Sequence, residues 1–259
     1  MPRLSRIAIY PLKSCDAMLV ETAAVLSNGA LQHDRRFALV DETGKIINAK
    51  RTSAVHRLKL VLDPQTRILT ASLRSSSETS WWNVDTQRAD AESWLSEYFA
   101  YGVTLVERAQ GGFPDDDQAP GPTIVSTATL ETVASWFPGL TLDDVRHRFR
   151  ANLEISDVES FWEDRLYRST GPDRPFRAGD VVFGGSNPCQ RCVVPSRDAA
   201  SGEVYPNFVR QFSQRREQQL PPWAPRERFD HFYRLAVNTR LISAGSELLR
   251  VGDEVELLD

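Results

Sequence analysis

RFALVDETGKIINAK, residues 36–50, sets the fold class. Arg36–Asp41 is mostly apolar, Glu42-Thr43-Gly44 is turn-forming, and KIINAK leads away again. Strand, short glycine-containing turn and second strand predict a β-hairpin. Residues 3–10 (RLSRIAIY) and 17–25 upstream partly alternate between polar and apolar, as half-buried strands do. Downstream, Val55–Leu62 and Ile68–Leu73 flank Asp-Pro-Gln-Thr, a second hairpin signal. Short strands with turns spaced about 8–12 residues apart predict a small barrel or sandwich.

The period changes at Asp90–Phe99, where Trp94, Leu95, Tyr98 and Phe99 share one helical face. A strand is expected over Gly102–Glu107. AQGGFPDDDQAPGP, residues 109–122, is rich in Gly, Pro and Asp and reads as a loop and domain boundary. The expected division is residues 1–115 and 116–259. Beyond it, Thr123–Ser126 reads as a strand, with a helix through Trp136 capped by Thr127 or Thr129. RFRANLEIS (148–156) reads as a strand, placing Arg148, Arg150 and Asn152 on one face. Gly179–Phe183 and Cys192–Val194 read as strands, residues 210–230 as helix then loop. Tyr233–Leu258 reads as further strands, with Gly245 and Gly252 at turns.

The 259 residues carry 31 Lys and Arg against 35 Asp and Glu, a net charge of −4 and a pI near 5.7. That balance argues against binding a nucleic-acid polymer, while leaving a local basic pocket open. Three cysteines, Cys15, Cys189 and Cys192, are too few for a disulfide framework and fit a reducing compartment. The first residues, MPRLSRIAIYPLKSC, hold too short an apolar stretch for a secretory leader. No apolar run approaches the roughly 20 residues of a membrane span. The expected location is the cytoplasm, without membrane attachment.

Chemistry concentrates in SNPCQRCVVPSRDAASGE, residues 186–203. Its Cys-x-x-Cys pair allows several readings. Structural zinc needs two further ligands, and the four histidines lack zinc-finger spacing. A thioredoxin-like pair needs a helix after the first cysteine, whereas Val-Val-Pro follows the second. One thiolate ligand to a transition metal or metal cofactor is a third reading; two packed thiols are the plain alternative. Tyr10-Pro-Leu-Lys-Ser-Cys15 puts Lys13 and Ser14 at a strand end behind a rigid proline, where an ammonium and a hydroxyl suit a phosphate. His33-Asp-Arg-Arg-Phe37 and Arg146-His-Arg-Phe-Arg150-Ala-Asn152 add cations that either face water or face an anion.

Together these stretches resemble one family. YPLKSC (10–15), DRRF (34–37), TIVSTATL (123–130), RFRANLEI (148–155), NPCQRC with RDAASGE (187–203) and VGDEVELL (251–258) occur in the order seen in MOSC-domain proteins that carry an N-terminal MOSC barrel. The resemblance is to the mitochondrial amidoxime-reducing component and to bacterial hydroxylaminopurine-resistance proteins. It implies a mainly β fold of two barrel-like domains with a few helices, and a molybdenum–molybdopterin cofactor between them. Position by position, Cys192 matches the metal ligand. Lys13, Ser14, Arg36, Ser126, Thr127, Arg150, Asn152, Gln190 and Arg191 match cofactor contacts, with Gln190 standing where the amidoxime-reducing proteins have Ser. The implied activity is two-electron reduction of small N-hydroxylated compounds, such as amidoximes or N-hydroxylated nucleobases. Asp198 and Glu203 are proton-donor candidates through closeness in sequence to Cys192. Four further cysteines for an iron–sulfur cluster are lacking. A separate donor is therefore expected: a ferredoxin, a flavoprotein reductase or a cytochrome b5-like protein. The alternative is a cofactor carrier or sulfur-transfer module without turnover of its own.

Overall fold

The computed structural model describes residues 1–245 and 247–258. The fold is mainly β. In chain order, β1 (Arg3–Ile9), β2 (Met18–Val20), β3 (Thr22–Ala24) and β4 (Phe37–Asp41) precede a one-turn helix, α1 (Ala54–Arg57). β5 (Leu58–Asp63), β6 (Ile68–Leu73) and β7 (Ser80–Asn83) form a three-stranded meander, followed by α2 (Arg88–Phe99) and β8 (Val103–Glu107). Then come β9 (Ile124–Ser126), α3 (Thr127–Ser135), α4 (Leu142–Phe149), β10 (Leu153–Ser156), β11 (Arg174–Ala178) and β12 (Val181–Gln190). α5 (Phe208–Gln218), β13 (Arg234–Ala244), β14 (Leu248–Arg250) and β15 (Val255–Leu257) complete the described elements.

The largest sheet has eight strands in the order β15-β11-β12-β13-β9-β10-β1-β2. β9 and β10 run parallel, and α3 and α4 supply the crossover that parallel neighbours require. β1, from the start of the chain, pairs antiparallel with β10, and β3 pairs with β14. The N-terminal segment is thus hydrogen-bonded into the C-terminal sheet. One apolar core fills this sheet. A second sits under β4–β8 and α2, and a third, largely aromatic, lies beneath α3, α4 and α5.

Four local expectations are corrected. Arg148 ends α4 rather than opening a strand, and the strand starts only at Leu153. The reciprocal Thr141–Asp144 capping box starts that helix, and Val145 and Phe149 bury its inner face. Cys192–Val194 is not a strand: β12 stops at Gln190, and Val194–Ser196 makes a 3-10 turn. The cap of α3 is Ser126, whose hydroxyl accepts from the Thr129 N–H, rather than Thr127 or Thr129. KIINAK closes the turn after β4 through single contacts such as Ile47 N–H to Leu39 O at 2.8 Å. The sustained ladder on β4 belongs to β8, from Phe37↔Glu107 to Asp41↔Val103. Among the described residues, no helix is long and apolar enough to cross a membrane.

Candidate functional site

A cavity of about 750 Å³ opens between the β4–β8 region and the large sheet. Residues 10–17, 34–35 and 48–58 line one side, and residues 144–152, 187–200, Arg234 and Asn238 the other. Residues from the 111–123 segment border it. Eleven Arg and Lys against six Asp give the lining a net charge of +5, within a chain whose net charge is −4. Such concentrated positive charge suits an anionic ligand.

Tyr10 organises one wall. It follows β1, and Pro11 turns the chain behind it. The Tyr10 hydroxyl donates to Ala151 O at 3.2 Å, and its N–H donates to Asp34 Oδ1 at 2.8 Å. The guanidinium carbons of Arg150 and Arg35 lie 4.1 and 5.2 Å from its ring centre. Burial pushes the phenol pKa up, and the charge of Arg150 opposes the shift.

Arg150 caps α4 in the left-handed region, at φ 55°. For a residue with a Cβ, that conformation costs about 1–2 kcal/mol. It directs Arg150 over Tyr10 while its N–H still closes the helix onto Arg146 O at 2.9 Å. Ser14 and Arg35, both on the cavity wall, also have positive φ, at 69° and 50°. Backbone strain gathered around one cavity is typical of a built site. Among the described residues, no carboxylate pairs with Arg150. Its charge is available to a ligand.

Lys13 and Asn152 line the cavity with their polar atoms engaged. Lys13 Nζ donates to Phe113 O, Pro114 O and Asp115 Oδ1 at 2.8, 3.0 and 2.8 Å. Burial lowers its pKa, and Asp115 pulls it back up. Asn152 Oδ1 accepts from Thr123 N–H, and Nδ2 donates to Ala8 O at 3.0 Å. The same oxygen lies 3.5 Å from Arg35 Nη1, so Asn152 positions Arg35 and ties β1 to the start of β9.

On the opposite wall, Gln190 ends β12 and Arg191 follows it. Arg191 N–H donates to Tyr233 O at 3.0 Å, and its guanidinium donates to Phe149 O and, at 3.2 Å, to Cys189 Sγ. Cys192, half-buried and free, comes next. Behind it, the buried Arg148 donates to Pro195 O at 3.1 Å and lies 3.6 Å from Asp198. Burial acts to raise the Asp198 pKa, but the Ser201 and Ala200 N–H groups hold it below the ordinary carboxylate range. That makes Asp198 a poor acid at neutral pH. Glu203 is exposed and absent from the cavity wall. Among the described residues, no group of three His, Cys, Asp or Glu could hold a metal ion. A metal bound at Cys192 would take its other ligands from elsewhere.

The cavity gathers Lys13, Ser14, Arg150, Asn152, Gln190, Arg191 and Cys192. Arg36, Ser126 and Thr127 lie outside its lining. Arg36 turns to Glu107, with Nε 2.7 Å from Oε1, while the preceding Arg35 faces the cavity. Ser126 is buried beneath α3, where its N–H donates to Glu163. Thr127 instead contacts Ser5 of β1 and Glu154 of β10. The sequence reading missed Tyr10, Arg35 and His56 as wall residues. His56 is 8% exposed, and among the described residues its buried Nε2 has no hydrogen-bond partner. Nothing in its local sequence distinguishes it from a core histidine.

Comparison with known proteins bears on this geometry. A model of the MOSC N-terminal beta barrel domain matches residues 1–102, and a model of the MOSC domain matches residues 123–256. Molybdenum cofactor sulfurase of Drosophila mojavensis is 25% identical over 236 residues, covering 80% of this chain and 29% of its own length. The Drosophila grimshawi protein of the same name is 26% identical over 239 residues, covering 80% and 30%. Molybdenum cofactor sulfurase 1 of Aedes aegypti is 24% identical over 240 residues, covering 78% and 30%. The chain therefore spans about three-tenths of these relatives. The crystal structure of the YUAD protein from Bacillus subtilis aligns with 99% of this chain and 95% of its own at 12% identity and a TM-score of 0.40, too low to carry an argument.

Proposed function

Because the chain belongs to the MOSC family, with a MOSC N-terminal barrel domain ahead of its MOSC domain, we propose that its cavity holds a molybdenum–molybdopterin cofactor and that the protein reduces N-hydroxylated compounds. One observation carries this reading: a free, half-buried cysteine lines a strongly cationic cavity that lacks a second set of metal ligands among the described residues. A phosphate-bearing cofactor that brings its own sulfur ligands needs one protein thiolate and several cations. The fit is to Cys192 for the metal, and to Arg150, Arg35 and Lys13 for the phosphate. Ser14, Gln190 and Arg191 border the same space. Arg35 takes the role first expected of Arg36. We propose residues 1–115 and 116–259 as the two domains, with the cofactor between them.

When bound, the cofactor supplies two-electron redox chemistry at the metal. The protein's residues supply grip and charge. Arg191 and Arg148 place positive charge near the Cys192 loop. Reduction of an N–OH group consumes two electrons and two protons and releases an amine or amidine N–H and water. The electrons come from a separate donor protein.

The test is molybdenum and pterin content in protein from a molybdate-fed, cofactor-competent host, alongside benzamidoxime reduction with a chemical electron donor. Near-stoichiometric molybdenum and turnover in the wild type, both lost in Cys192→Ser, are expected. Full molybdenum and activity in the variant would overturn the assignment. A second reading, a cofactor carrier or sulfur-transfer module, draws support from the sulfurase relatives. Bound cofactor without turnover favours it.

A further inference from the structure

The 109–122 loop places a carboxylate against two cations of the cavity wall, Lys13 and Arg35. Lys13 commits all three ammonium hydrogens to Phe113 O, Pro114 O and Asp115 Oδ1. The other Asp115 oxygen lies 3.8 Å from Arg35 Nε. The Lys13 side chain is 11% exposed and that of Asp115 62%, so a reachable carboxylate covers an enclosed cation.

The loop is anchored on both sides of this contact. Gly112 has φ +60°, and a Cβ there would stand 2.6 Å from Asp34 O, so glycine permits the close approach. Phe113 N–H donates to Arg35 O at 2.8 Å. On the other side, Asp116 accepts from Asn238 Nδ2 at 3.4 Å. Between these anchors, the Asp115 carboxylate bonds, among the described residues, to cations alone, and can swing outward without breaking either anchor.

We propose that Asp115 is an internal competitor at a Lys13–Arg35 anion subsite, and that it selects phosphate-type polyanions over singly charged ligands. The inference rests on the reading that this cavity takes an anionic ligand. Lys13, Arg35, Asp34 and Asp115 together are neutral. A ligand carboxylate would only exchange one monoanion for another, and would compete with a tethered group whose effective concentration is in the millimolar range or above. A phosphate dianion or pyrophosphate brings more charge and more acceptor oxygens. Asp115 itself stays ionised near neutrality: burial acts to raise its pKa, but Arg35 and Lys13 hold it well below the usual carboxylate range.

The experiment uses full-length, cofactor-free protein titrated with sodium pyrophosphate, and separately with acetate, at constant ionic strength. Asp115→Asn is expected to bind pyrophosphate about tenfold more tightly, and to gain acetate binding that the wild type lacks. Asp117→Asn, an exposed neighbour on the same loop, is expected to stay within about twofold of the wild type. In a Lys13→Met background, which leaves only the longer Arg35 contact, Asp115→Asn is expected to gain less than it does in the wild type. Unchanged or weaker pyrophosphate binding in Asp115→Asn overturns the proposal while leaving the anion cavity standing. An equal gain in Asp117→Asn overturns it as a general charge effect. No pyrophosphate binding in any variant overturns both the competitor and the anion cavity. Asp115→Ser, expected to match Asp115→Asn, checks that the gain comes from losing the carboxylate.

Discussion

Replacing Arg150 by glycine separates ligand grip from stability. The residue sits at φ 55°, so glycine relieves about 1–2 kcal/mol of left-handed strain. Against that, the contact with Tyr10, 4.1 Å from the ring centre, is lost, at about 0.5–1 kcal/mol. The added freedom of the unfolded chain removes a further ~0.4–1 kcal/mol. The sum lies within about 1 kcal/mol of zero, so the thermal midpoint should move little. Binding should not be spared. Among the described residues Arg150 has no carboxylate partner, and a charge-assisted hydrogen bond to a bound anion is worth about 1.5–3 kcal/mol, or roughly 10–150-fold in affinity. Pyrophosphate titration of cofactor-free protein, paired with urea denaturation, measures both terms. Arg150→Met should lose the same affinity but, keeping the strained backbone, be less stable than Arg150→Gly. Wild-type affinity in Arg150→Gly, or a glycine variant less stable than the methionine one, would refute the reasoning.

Arg36→Met should leave anion affinity within about twofold and change stability by about 1 kcal/mol or less, because its partner is the partly exposed Glu107; a large affinity loss would return Arg36 to the site. Asn152→Ala strands Ala8 O and Thr123 N–H in the interior and should lower stability by about 2–4 kcal/mol by urea denaturation; a loss under about 0.5 kcal/mol would contradict the bridging role. Glu163 is buried, and desolvation followed by the charge of Asp164 pushes its pKa from about 4.5 up to about 7. A raised folded-state pKa gives stability that is full below about 4.5 and lost as pH rises through about 7. The thermal advantage of Glu163→Gln over wild type should therefore grow from pH 5 to pH 8, and a pH-independent difference counts against the buried titration. Burial pushes the Cys15 thiol up to about 12, so iodoacetamide at pH 8 should label Cys189 and Cys192 and spare Cys15 in peptide mass mapping.

Periodicity located α2, and the Asp-Pro-Gln-Thr turn located the β5–β6 hairpin, because both signals are local properties of the chain. The same reasoning misread RFRANLEIS. Its alternation resembles a strand, while the start signal for α4, the Thr141–Asp144 box, lies seven residues upstream of Arg148. The resemblance carried by six short motifs pointed to the family and to seven residues that line one cavity.

What the sequence by itself determined is the mainly β class, the family and the segments that meet at the cavity. These follow from residue type and order along the chain. Tertiary structure decided which member of each segment faces inward. Arg36 is claimed by Glu107 across the β4–β8 ladder, whereas Arg35, at φ 50°, turns toward Tyr10. The placement of Arg150 over Tyr10 comes from a left-handed helix cap, and the Asp115 contact with Lys13 spans 102 residues. Orientation and long-range charge pairing depend on backbone torsions and packing partners far apart in the chain, and local composition does not encode them.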